Sequence, residues 1–411
     1  MLSKTLKLNV FDLFRRLDGE QNACLLAGAR PGLLGFGPAE TFSSARLGRK
    51  ALSAFVERSA RLQRPVAGYI SYDAAYPLHG LKRRAFDDLR LPDVCLHAYG
   101  NYLTFTSADT VRLHFSDPSF PETVRRILAR PLPVPRAYRS INFRPVISPA
   151  QYARAYRAIR DYLYEGDIYQ INLSHRLEGA TDMPARELFL RALRHNPVDF
   201  PSYFESDGFE IASLSPERFA AIDGRRIETS PIKGTRPRGR TRASDERYRR
   251  ELLDNAKETA ELNMIIDLLR NDLGKVCRTG SVRVRGQRLV SACPAVWHTF
   301  GRITGKLAEG CSALEALVSM LPGGSISGCP KKRAMEIIDE LEPVVRSVYT
   351  GVIGSIMPGM RCDFSIAIRT IIKKGNKLYL PVGGGIVYDS KEKAELRETF
   401  DKAKSFMKIL Q

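Results

Sequence analysis

Several features that would place this chain in a special class are missing from it. None of its 411 residues belongs to an apolar run approaching the roughly 18 to 20 residues that cross a bilayer. Residues 1–14 mix charged and apolar side chains and do not resemble a secretory signal. The seven cysteines include no Cys-x-x-Cys pair, and an odd, dispersed set is typical of a reducing compartment. These absences exclude a membrane-spanning protein and a disulfide scaffold, and we expect a cytoplasmic protein.

Nucleic-acid-binding motifs are missing too, although the formal net charge is +19. The densest run of arginines, residues 225–250, contains a single aromatic side chain, Tyr248, and no helix-turn-helix, RNA-recognition or zinc-finger pattern. We therefore expect no nucleic-acid partner. We interpret the charge as a basic surface that also steers anionic substrates towards the protein.

The pattern of predicted elements indicates an α+β fold. Strands come in runs interspersed with helices, without the regular alternation of a parallel βαβ sheet. A proline-rich passage, residues 131–135, separates an N-terminal region (1–142) from a catalytic region (143–411), and we expect the two to pack as one globular unit. The predicted strands are 66–72, 168–177, 281–284, 364–372 and 377–382. The predicted helices are 149–164, capped by Ser148, then Ser244 or Asp245 to about Asn271, 331–340, and 389–410 with a capping box of Asp389 and Glu392.

Two of these helices carry pairs of glutamates three residues apart. Glu258 and Glu261 share one helix face, and Glu395 and Glu398 share another. Two such helices could present four carboxylates to a hard cation such as Mg²⁺, which prefers oxygen ligands. The alternative for each pair taken alone is an ordinary solvated helix face.

Lys233 stands out in the segment 229–238, Thr-Ser-Pro-Ile-Lys-Gly-Thr-Arg-Pro-Arg. Pro231 stiffens the approach, and Gly234 permits a sharp turn. A lysine held on a rigid loop among other cations loses its proton more readily, and neutral lysine is a nucleophile. The alternative is a solvated lysine in a basic loop.

Two glycine runs and one arginine are candidate anion sites. The run 323–331 precedes a helix whose start is set by Pro330, and helix N-termini favour carboxylates and phosphates. It lacks the spacing of a phosphate-binding P-loop. Gly383, Gly384 and Gly385 permit a backbone to approach a ligand closely. Either run could be a plain turn, and Arg369, on a predicted strand, could face inward as an anion clamp or outward.

Six ordered motifs resemble the chorismate-utilising enzymes, which include anthranilate, aminodeoxychorismate, isochorismate and salicylate synthases. They are residues 166–174, 213–219, 229–238, 266–274, 323–335 and 383–402, so the resemblance is dense over about 143–411 and loose before it. The resemblance implies large antiparallel sheets packed as a β-sandwich core flanked by helices. It also implies a Mg²⁺ cofactor and chorismate as substrate.

The resemblance further assigns roles to residues at matching positions. Glu261 and Glu398 match direct metal ligands, and Glu258 and Glu395 match water-mediated ones. Glu217 matches the general acid for the departing 4-hydroxyl, and His298 the histidine beside the reacting ring, although a packed core histidine is the alternative. The implied substrate-binding residues are Gln170, Ser327, Gly328, Tyr349, Arg369, Gly383, Gly384, Gly385 and Lys402.

Two positions favour one branch of this family. Members that add water carry a lysine where this chain has Gln170, and anthranilate synthases usually carry alanine where it has Lys233. Pro-Ile-Lys-Gly-Thr resembles the aminodeoxychorismate synthase branch, in which the lysine attacks ring C2 and ammonia then adds at C4. Anthranilate synthase component I remains the alternative within the family, and a basic, non-catalytic binding protein the alternative outside it.

Other segments depart from the family pattern. Cys329 replaces the usual alanine, and residues 25–28 lack the Leu-Leu-Glu-Ser type segment of tryptophan-regulated members, so feedback inhibition by tryptophan is not expected. The sequence shows no fused glutaminase and no fused lyase. We therefore expect a separate glutamine amidotransferase subunit to supply ammonia and a separate lyase to release p-aminobenzoate for folate synthesis.

Overall fold

Two large antiparallel sheets and the helices around them form the protein. The computed structural model describes residues 1–134, 136–138, 140–293 and 296–407. Motif residues Pro294 and Ala295, Pro135 of the proline passage and the predicted helix end at Leu410 lie outside that set. Within it, no helix has both the length and the apolar character needed to cross a membrane. The predicted α+β class is confirmed.

The first sheet has 12 strands, and the paired strands run in the order β1-β8-β7-β3-β2-β11-β12-β21-β22-β10-β18, with β9 beside β10. Its strands are β1 (Leu2–Lys7), β2 (Cys24–Leu26), β3 (Gly32–Gly35), β7 (Tyr102–Ser107), β8 (Thr110–Phe115), β9 (Arg144–Pro145), β10 (Gln170–Ala180), β11 (Phe200–Ser206), β12 (Phe209–Ser215), β18 (Gly328–Cys329), β21 (Thr370–Lys374) and β22 (Lys377–Val387).

The second sheet has 10 strands in the order β15-β17-β14-β13-β20-β19-β5-β6-β4, with β16 beside β17. Its strands are β4 (Glu40–Ser44), β5 (Val66–Ile70), β6 (Val94–Ala98), β13 (Arg218–Asp223), β14 (Arg226–Ser230), β15 (Ile232–Pro237), β16 (Arg283–Ala292), β17 (Val296–Lys306), β19 (Val352–Met357) and β20 (Arg361–Ile366). Both sheets combine strands from before and after residue 142. The domain boundary placed there stays a prediction.

The helices cover the outer surfaces of the sheets. They are α1 (Val10–Arg15), α2 (Arg49–Arg61), α3 (Phe120–Leu128), α4 (Pro149–Tyr164), α5 (Ala185–His195), α6 (Arg242–Asp254), α7 (Ala256–Gly274), α8 (Ala313–Met320), α9 (Lys331–Leu341) and α10 (Glu392–Met407). Asp73–His79 and Gly324–Ile326 form short 3₁₀ turns. The predicted capping of α4 is confirmed, because the Ser148 side chain accepts the amide of Gln151 in a capping box.

A continuous apolar core lies between the sheets. The Tyr69 ring of β5 meets the Phe204 ring of β11 edge-on, with centroids 5.8 Å apart. Further buried side chains from both sheets, among them Leu33, Ile353 and Ile372, belong to the same core cluster. Aromatic and β-branched residues at alternate positions bury one face of each strand in this way. The predicted β-sandwich core is therefore present.

Three predicted elements differ from the structure. The helix expected from Ser244 or Asp245 to Asn271 is two helices: Thr241 caps α6, and Asn255 has an extended backbone and caps α7 with its side chain. The strand expected over 281–284 is β16, which begins at Arg283. The last helix begins at Glu392 rather than at Asp389. At the break between α6 and α7, the Asn255 side chain bonds locally and interrupts a pattern that periodicity alone extends.

The strand predicted over residues 364–372 is also wrong. It is the end of β20 in the second sheet and the start of β21 in the first, joined by a crossing at 367–369. Arg369 has a φ of 49°, a left-handed conformation that ends strand geometry. The crossing carries Arg369 away from both sheets' regular pairing and to the rim of a large cavity.

Candidate functional site

A cavity of about 710 Å³ opens between the end of the first sheet and helices α7 and α10. Strands β10, β15, β17 and β22 and the segment after β12 contribute to its walls. Most of the residues singled out in the sequence line it. They are Glu217, Lys233, Glu258, Glu261, His298, Tyr349, Arg369, Gly383, Gly385, Glu395, Glu398 and Lys402.

Four predicted substrate-binding residues stand behind this lining. Gly384 faces α10, where an added Cβ would lie 3.6 Å from Glu395 Oε2. The Ser327 hydroxyl donates to the Gly323 carbonyl at 2.9 Å and is fully buried. Gly328 pairs with Ile171, so close that an added Cβ would lie 2.4 Å from the Gln170 carbonyl oxygen. The structure thus uses Ser327 and Gly328 to hold the wall rather than to present groups to the cavity.

Gln170 lies on β10, the strand that pairs with β22 and Gly385. A Cβ on Gly385 would lie 3.0 Å from Gln170 Nε2 and 3.9 Å from Lys233 Nζ. The amide of Gln170 and the amine of Lys233 are therefore neighbours of the same glycine. Gln170 is 1 % exposed, and its Oε1 has no hydrogen-bond partner in the described part of the chain.

The glycine run 383–385 is part of a strand, not a turn. It pairs antiparallel with β10, with Gly385 opposite Asn172 and Gly383 opposite Ser174. An added Cβ on Gly383 would lie 2.9 Å from the Leu173 carbonyl oxygen. Because glycine has no side chain, this part of β22 exposes its backbone at the cavity wall, as close approach of a ligand requires.

Lys233 sits on a strand rather than on the rigid loop predicted for it. It pairs with Thr299 of β17, and Thr235 pairs with the adjacent His298, so Gly234 is the extra residue of a β-bulge. The Thr299 hydroxyl also donates to the Lys233 carbonyl. Bulges re-aim side chains beside functional sites. Here Lys233 and His298 both face the cavity.

Gly234 is required by this bulge for two reasons, and each can be tested. Its φ of 78° is left-handed, and an added Cβ would lie 2.7 Å from Glu258 Oε2. Gly224, in the β13–β14 hairpin, has a φ of 56° and open space around it. Both Gly→Ala variants should lose about 1–2 kcal/mol of unfolding free energy from the backbone penalty. Only Gly234→Ala should also lower turnover of chorismate, the substrate that the sequence resemblance implies, and equal turnover in the two variants would contradict a role for the bulge.

Burial, rather than neighbouring arginines, makes the amine of Lys233 easier to deprotonate. Its pKa is lowered chiefly by desolvation, against the opposing charges of Glu261 and Glu217, with Lys402 as the contributing cation. The arginines that follow it in sequence are occupied. Arg236 pairs with Glu258 at 2.9 Å, and Arg238 pairs with Asp245 at 2.7 Å.

Glu217, just before β13, lines the same cavity as Lys233. Burial raises the pKa of Glu217 to about 7, although a hydrogen bond from Ser325 and the charge of Lys233 favour its ionised form. Ser325 Oγ donates to Glu217 Oε1 at 2.7 Å. A carboxyl with such a pKa holds a proton near neutral pH and can give it to a leaving group.

His298 is a neutral imidazole at the cavity wall. Burial and the charge of Arg369 lower its pKa to about 4, against a hydrogen bond to the Gly234 carbonyl. Its Nδ1 lies 2.9 Å from Thr235 Oγ1. It is 5 % exposed and still reaches the cavity, so it combines the two alternatives that the sequence left open, a packed histidine and one beside a ligand.

The four glutamates face the cavity from two helices. Glu258 Oε1 accepts from Arg236, while its buried Oε2 has no partner among the residues described. Glu398 pairs with Lys402 at 2.8 Å. Glu395 is 7 % exposed, and burial and the nearby Glu398 charge raise its pKa. Across the described chain, no three Asp, Glu, His or Cys side chains are grouped closely enough to hold a metal ion.

These glutamates nevertheless fit a hard divalent cation by their chemistry. All four donors are carboxylate oxygens, the ligands that Mg²⁺ prefers. The unpartnered Oε2 of Glu258 and the mutual repulsion of Glu395 and Glu398 are both relieved by a positive charge between the helices.

Cationic and hydroxyl groups line the same cavity as the glutamates. Lys402 Nζ donates to the Gly383 carbonyl at 3.0 Å, and Arg369 and the buried Tyr349 also line the cavity. The crossing between the sheets turns Arg369 inward, which decides between the two orientations that its sequence left open. The cavity can therefore receive an anion.

Three cavity residues were not singled out from the sequence. Ser325 bonds the general-acid candidate Glu217, Thr235 bonds His298, and Asn172 donates from Nδ2 to the Ile326 carbonyl at 3.1 Å. All three belong to motifs that were recognised. The sequence gives no signal of which partner a short polar side chain will bond, because these partners lie 63 to 154 positions away along the chain.

Comparisons with known proteins agree with this geometry. The profile of the family described as chorismate binding enzyme matches residues 11–408. Aminodeoxychorismate synthase component 1 of Salmonella typhimurium is 36 % identical over 345 residues, which cover 84 % of this chain and 76 % of that protein. Anthranilate synthase component 1 of Thermus thermophilus is 38 % identical over 358 residues, covering 84 % of this chain and 77 % of that one.

Among solved structures, anthranilate synthase component I from Streptococcus pneumoniae superimposes with a TM-score of 0.82 at 26 % sequence identity. The alignment covers 91 % of each chain. From its motifs, its fold and these relatives, the chain belongs to the chorismate-binding enzyme family and is a chorismate-utilising enzyme.

Proposed function

We propose that this enzyme aminates chorismate at C4 with ammonia and gives 4-amino-4-deoxychorismate, the precursor of p-aminobenzoate in folate synthesis. The observation that carries the proposal is the pairing, in one cavity, of a half-buried lysine whose pKa is lowered and a buried carboxyl whose pKa is about 7. A neutral amine and a protonated carboxyl are the nucleophile and the acid that such a substitution needs.

In the proposed reaction the Lys233 amine attacks ring C2 as the C4–oxygen bond breaks. Glu217 protonates the departing hydroxyl, which leaves as water. Ammonia then forms a bond to C4 and gives up a proton, which restores the Glu217 carboxyl, while the C2–nitrogen bond to Lys233 breaks and both ring double bonds return to their original positions. The net change is chorismate plus ammonia to 4-amino-4-deoxychorismate plus water, and the enolpyruvyl side chain stays on the ring.

The other lining residues bind and orient the substrate in this proposal. Arg369, Tyr349 and Lys402 receive carboxylate groups, and the bare backbone of Gly383 and Gly385 lets the ring lie against the wall. Neutral His298 packs beside the ring. A Mg²⁺ ion held by Glu261 and Glu398, with Glu258 and Glu395 through water, would neutralise the ring carboxylate.

Gln170 supports ammonia rather than water as the incoming group. A carboxamide cannot act as a base towards water, whereas its unpartnered Oε1 can accept a hydrogen bond from an N–H group. We further propose that a separate glutamine amidotransferase subunit supplies the ammonia. A separate lyase would convert the product to p-aminobenzoate.

The test incubates the purified chain with chorismate, Mg²⁺ and ammonium chloride, with and without an added aminodeoxychorismate lyase. We expect p-aminobenzoate only when the lyase is present. Direct release of anthranilate without the lyase would overturn the proposal and support the second candidate, anthranilate synthase component I. The 38 % identity to the Thermus thermophilus protein favours that candidate.

A metal requirement follows from the facing glutamates. Glu261→Gln should raise the Mg²⁺ concentration for half-maximal activity by at least about 10- to 100-fold, the loss seen when even an outer-shell partner of a metal is removed. It should also reduce the rise in melting temperature that Mg²⁺ causes in the wild type. Glu251→Gln, on α6 and outside the cavity lining, is the control. An unchanged Mg²⁺ response in Glu261→Gln would show that the metal is not bound there.

A further inference from the structure

Arg346, which follows α9, places a guanidinium group in the interior beside the cavity. The side chain is 2 % exposed. Its Nη1 donates to the Ile326 carbonyl at 2.8 Å, and its Nη2 donates to the Asn172 carbonyl at 2.5 Å. Nε and Nη2 also form a fork on Glu342, at 2.8 and 2.6 Å. Every nitrogen of the guanidinium therefore donates a hydrogen bond.

Glu342 completes the cluster from the other side. It is 5 % exposed, and its Oε1 also accepts the amide of Ser174 at 2.8 Å. The Tyr72 ring lies 4.6 Å below the Arg346 guanidinium. A buried ion pair is often no more stabilising than apolar side chains of the same size. Stability alone is therefore a weak reason to bury this charge here.

The backbone groups that Arg346 and Glu342 hold belong to two segments that meet at the cavity wall. Asn172 and Ser174 lie on β10, and Ile326 lies in the glycine-rich segment between Ser325 and Ser327. Asn172 and that segment are also joined by a bond from the Asn172 amide to the Ser327 carbonyl at 2.8 Å. On the third side, the Arg346 carbonyl accepts the amide of Tyr349 at 3.1 Å.

We propose that Arg346, locked by Glu342, is a positioning residue that holds Ser325 against Glu217 and holds Tyr349 in the cavity wall. The inference rests on the proposed function insofar as Glu217 acts as the acid. Arg346 is not part of the cavity lining, so it touches neither the substrate nor the reacting atoms itself. Lysine cannot replace it, because an ammonium group lacks the planar fork that reaches Ile326, Asn172 and Glu342 together.

The consequence for Glu217 can be measured. Ser325 donates to the ionised carboxylate, and Lys233 of β15 and Lys402 of α10 also favour that form. If the glycine-rich segment moves, Ser325 leaves while both lysines stay. The pKa of Glu217 then rises, and the limb of the pH–rate profile on which Glu217 loses its proton shifts to higher pH.

The experiment compares three variants with the wild type. Arg346→Lys keeps the charge and loses the fork, and the double variant Glu342→Gln with Arg346→Met removes the charges but keeps the volume. Arg186→Lys is the control, because Arg186 is a half-buried, paired arginine on α5 that lies outside the cavity lining. Hydrogen exchange of residues 323–328, chorismate turnover and its pH profile are measured for each.

We expect faster exchange of 323–328, a fall in kcat of about 10- to 100-fold from a displaced acid and the upward shift of the basic limb in both Arg346 variants. Arg186→Lys should show none of these. Wild-type exchange and an unshifted profile in Arg346→Lys would overturn the inference, as would loss of the folded state in both Arg346 variants, which would assign the pair to stability alone.

Failure of the proposed function gives a different result. Turnover is followed as loss of chorismate, whichever product forms, so a wild type that releases anthranilate refutes the C4 amination and leaves the Arg346 comparison intact. If the wild type consumes no chorismate, the exchange of residues 323–328 still decides whether Arg346 holds that segment.

Discussion

Replacing Lys233 by alanine is expected to abolish nearly all formation of 4-amino-4-deoxychorismate while the protein stays folded. Removal of the nucleophile from other covalent enzymes costs up to about 10⁶-fold in kcat, and we expect a loss of more than about 10³-fold here. Lys233 is a half-buried side chain on β15, and its backbone bonds to Thr299 survive the change. The melting temperature should therefore move little.

The products of Lys233→Ala are as informative as its rate. Without the amine at C2, ammonia can reach C2 directly, so 2-amino products, including anthranilate, should appear in place of the C4 product. Chromatography of the products after incubation with ammonium chloride measures this shift. Lys306→Ala, an exposed lysine on β17, is the control and should behave as the wild type.

The variant Lys233→Arg distinguishes nucleophilic attack by the lysine amine from an effect of its positive charge alone. Arginine keeps a cation near Glu217 and Glu261 but is not a nucleophile at neutral pH. If Lys233 attacks C2, the arginine variant should be as inactive as the alanine variant. Substantial formation of 4-amino-4-deoxychorismate by Lys233→Arg would mean that the positive charge alone is needed, and the covalent step would be wrong.

Replacing Glu217 by glutamine is expected to lower kcat by about 10²- to 10⁴-fold, the range for loss of a general acid. A carboxamide can still accept the bond from Ser325 but cannot protonate the leaving hydroxyl. The solvent-exposed Glu309 provides the matched change, and Glu309→Gln should leave kcat unchanged. Comparable kcat values for Glu217→Gln and the wild type would contradict the assignment.

The pH dependence follows from the same group. Glu217 must be protonated to act, so wild-type activity should fall as pH rises through its pKa of about 7. Lys233 must be neutral, so activity should fall on the acid side as its amine, with its lowered pKa, gains a proton. The basic limb should disappear from the residual activity of Glu217→Gln.

The substitution Glu217→Gln should raise stability although it lowers activity. The folded pKa of Glu217 is raised above 4.5 to about 7, so folding is penalised as pH rises through this interval and fully penalised above it. Glu217→Gln removes the penalty, and at pH 8 it should gain up to about 3 kcal/mol of unfolding free energy. Urea unfolding at pH 5 and pH 8 tests this, and an equal difference at both values would count against a buried, protonated Glu217.

Local signals in the sequence were sufficient for the helix starts that a proline fixes. Ser148 and Pro149 placed the start of α4 correctly, and Pro330 that of α9, because their backbone preferences act within one turn. Local signals failed at residues 364–372. An apolar run has the same periodicity whether its residues stay in one sheet or cross to another, and only packing of the two sheets makes the chain turn at Arg369.

The sequence by itself determined the α+β class, the family and the residue types that line the cavity, because six motifs preserve those residues in order along the chain. The tertiary structure decided the orientation, the protonation and the hydrogen-bond partners of these residues. The bulge at Gly234 aims Lys233, burial rather than nearby arginines lowers its pKa, and Ser325 and Arg346 join the site through contacts far apart in sequence. Desolvation and long-range hydrogen bonds depend on which segments meet in space, and one-dimensional spacing carries no measure of that.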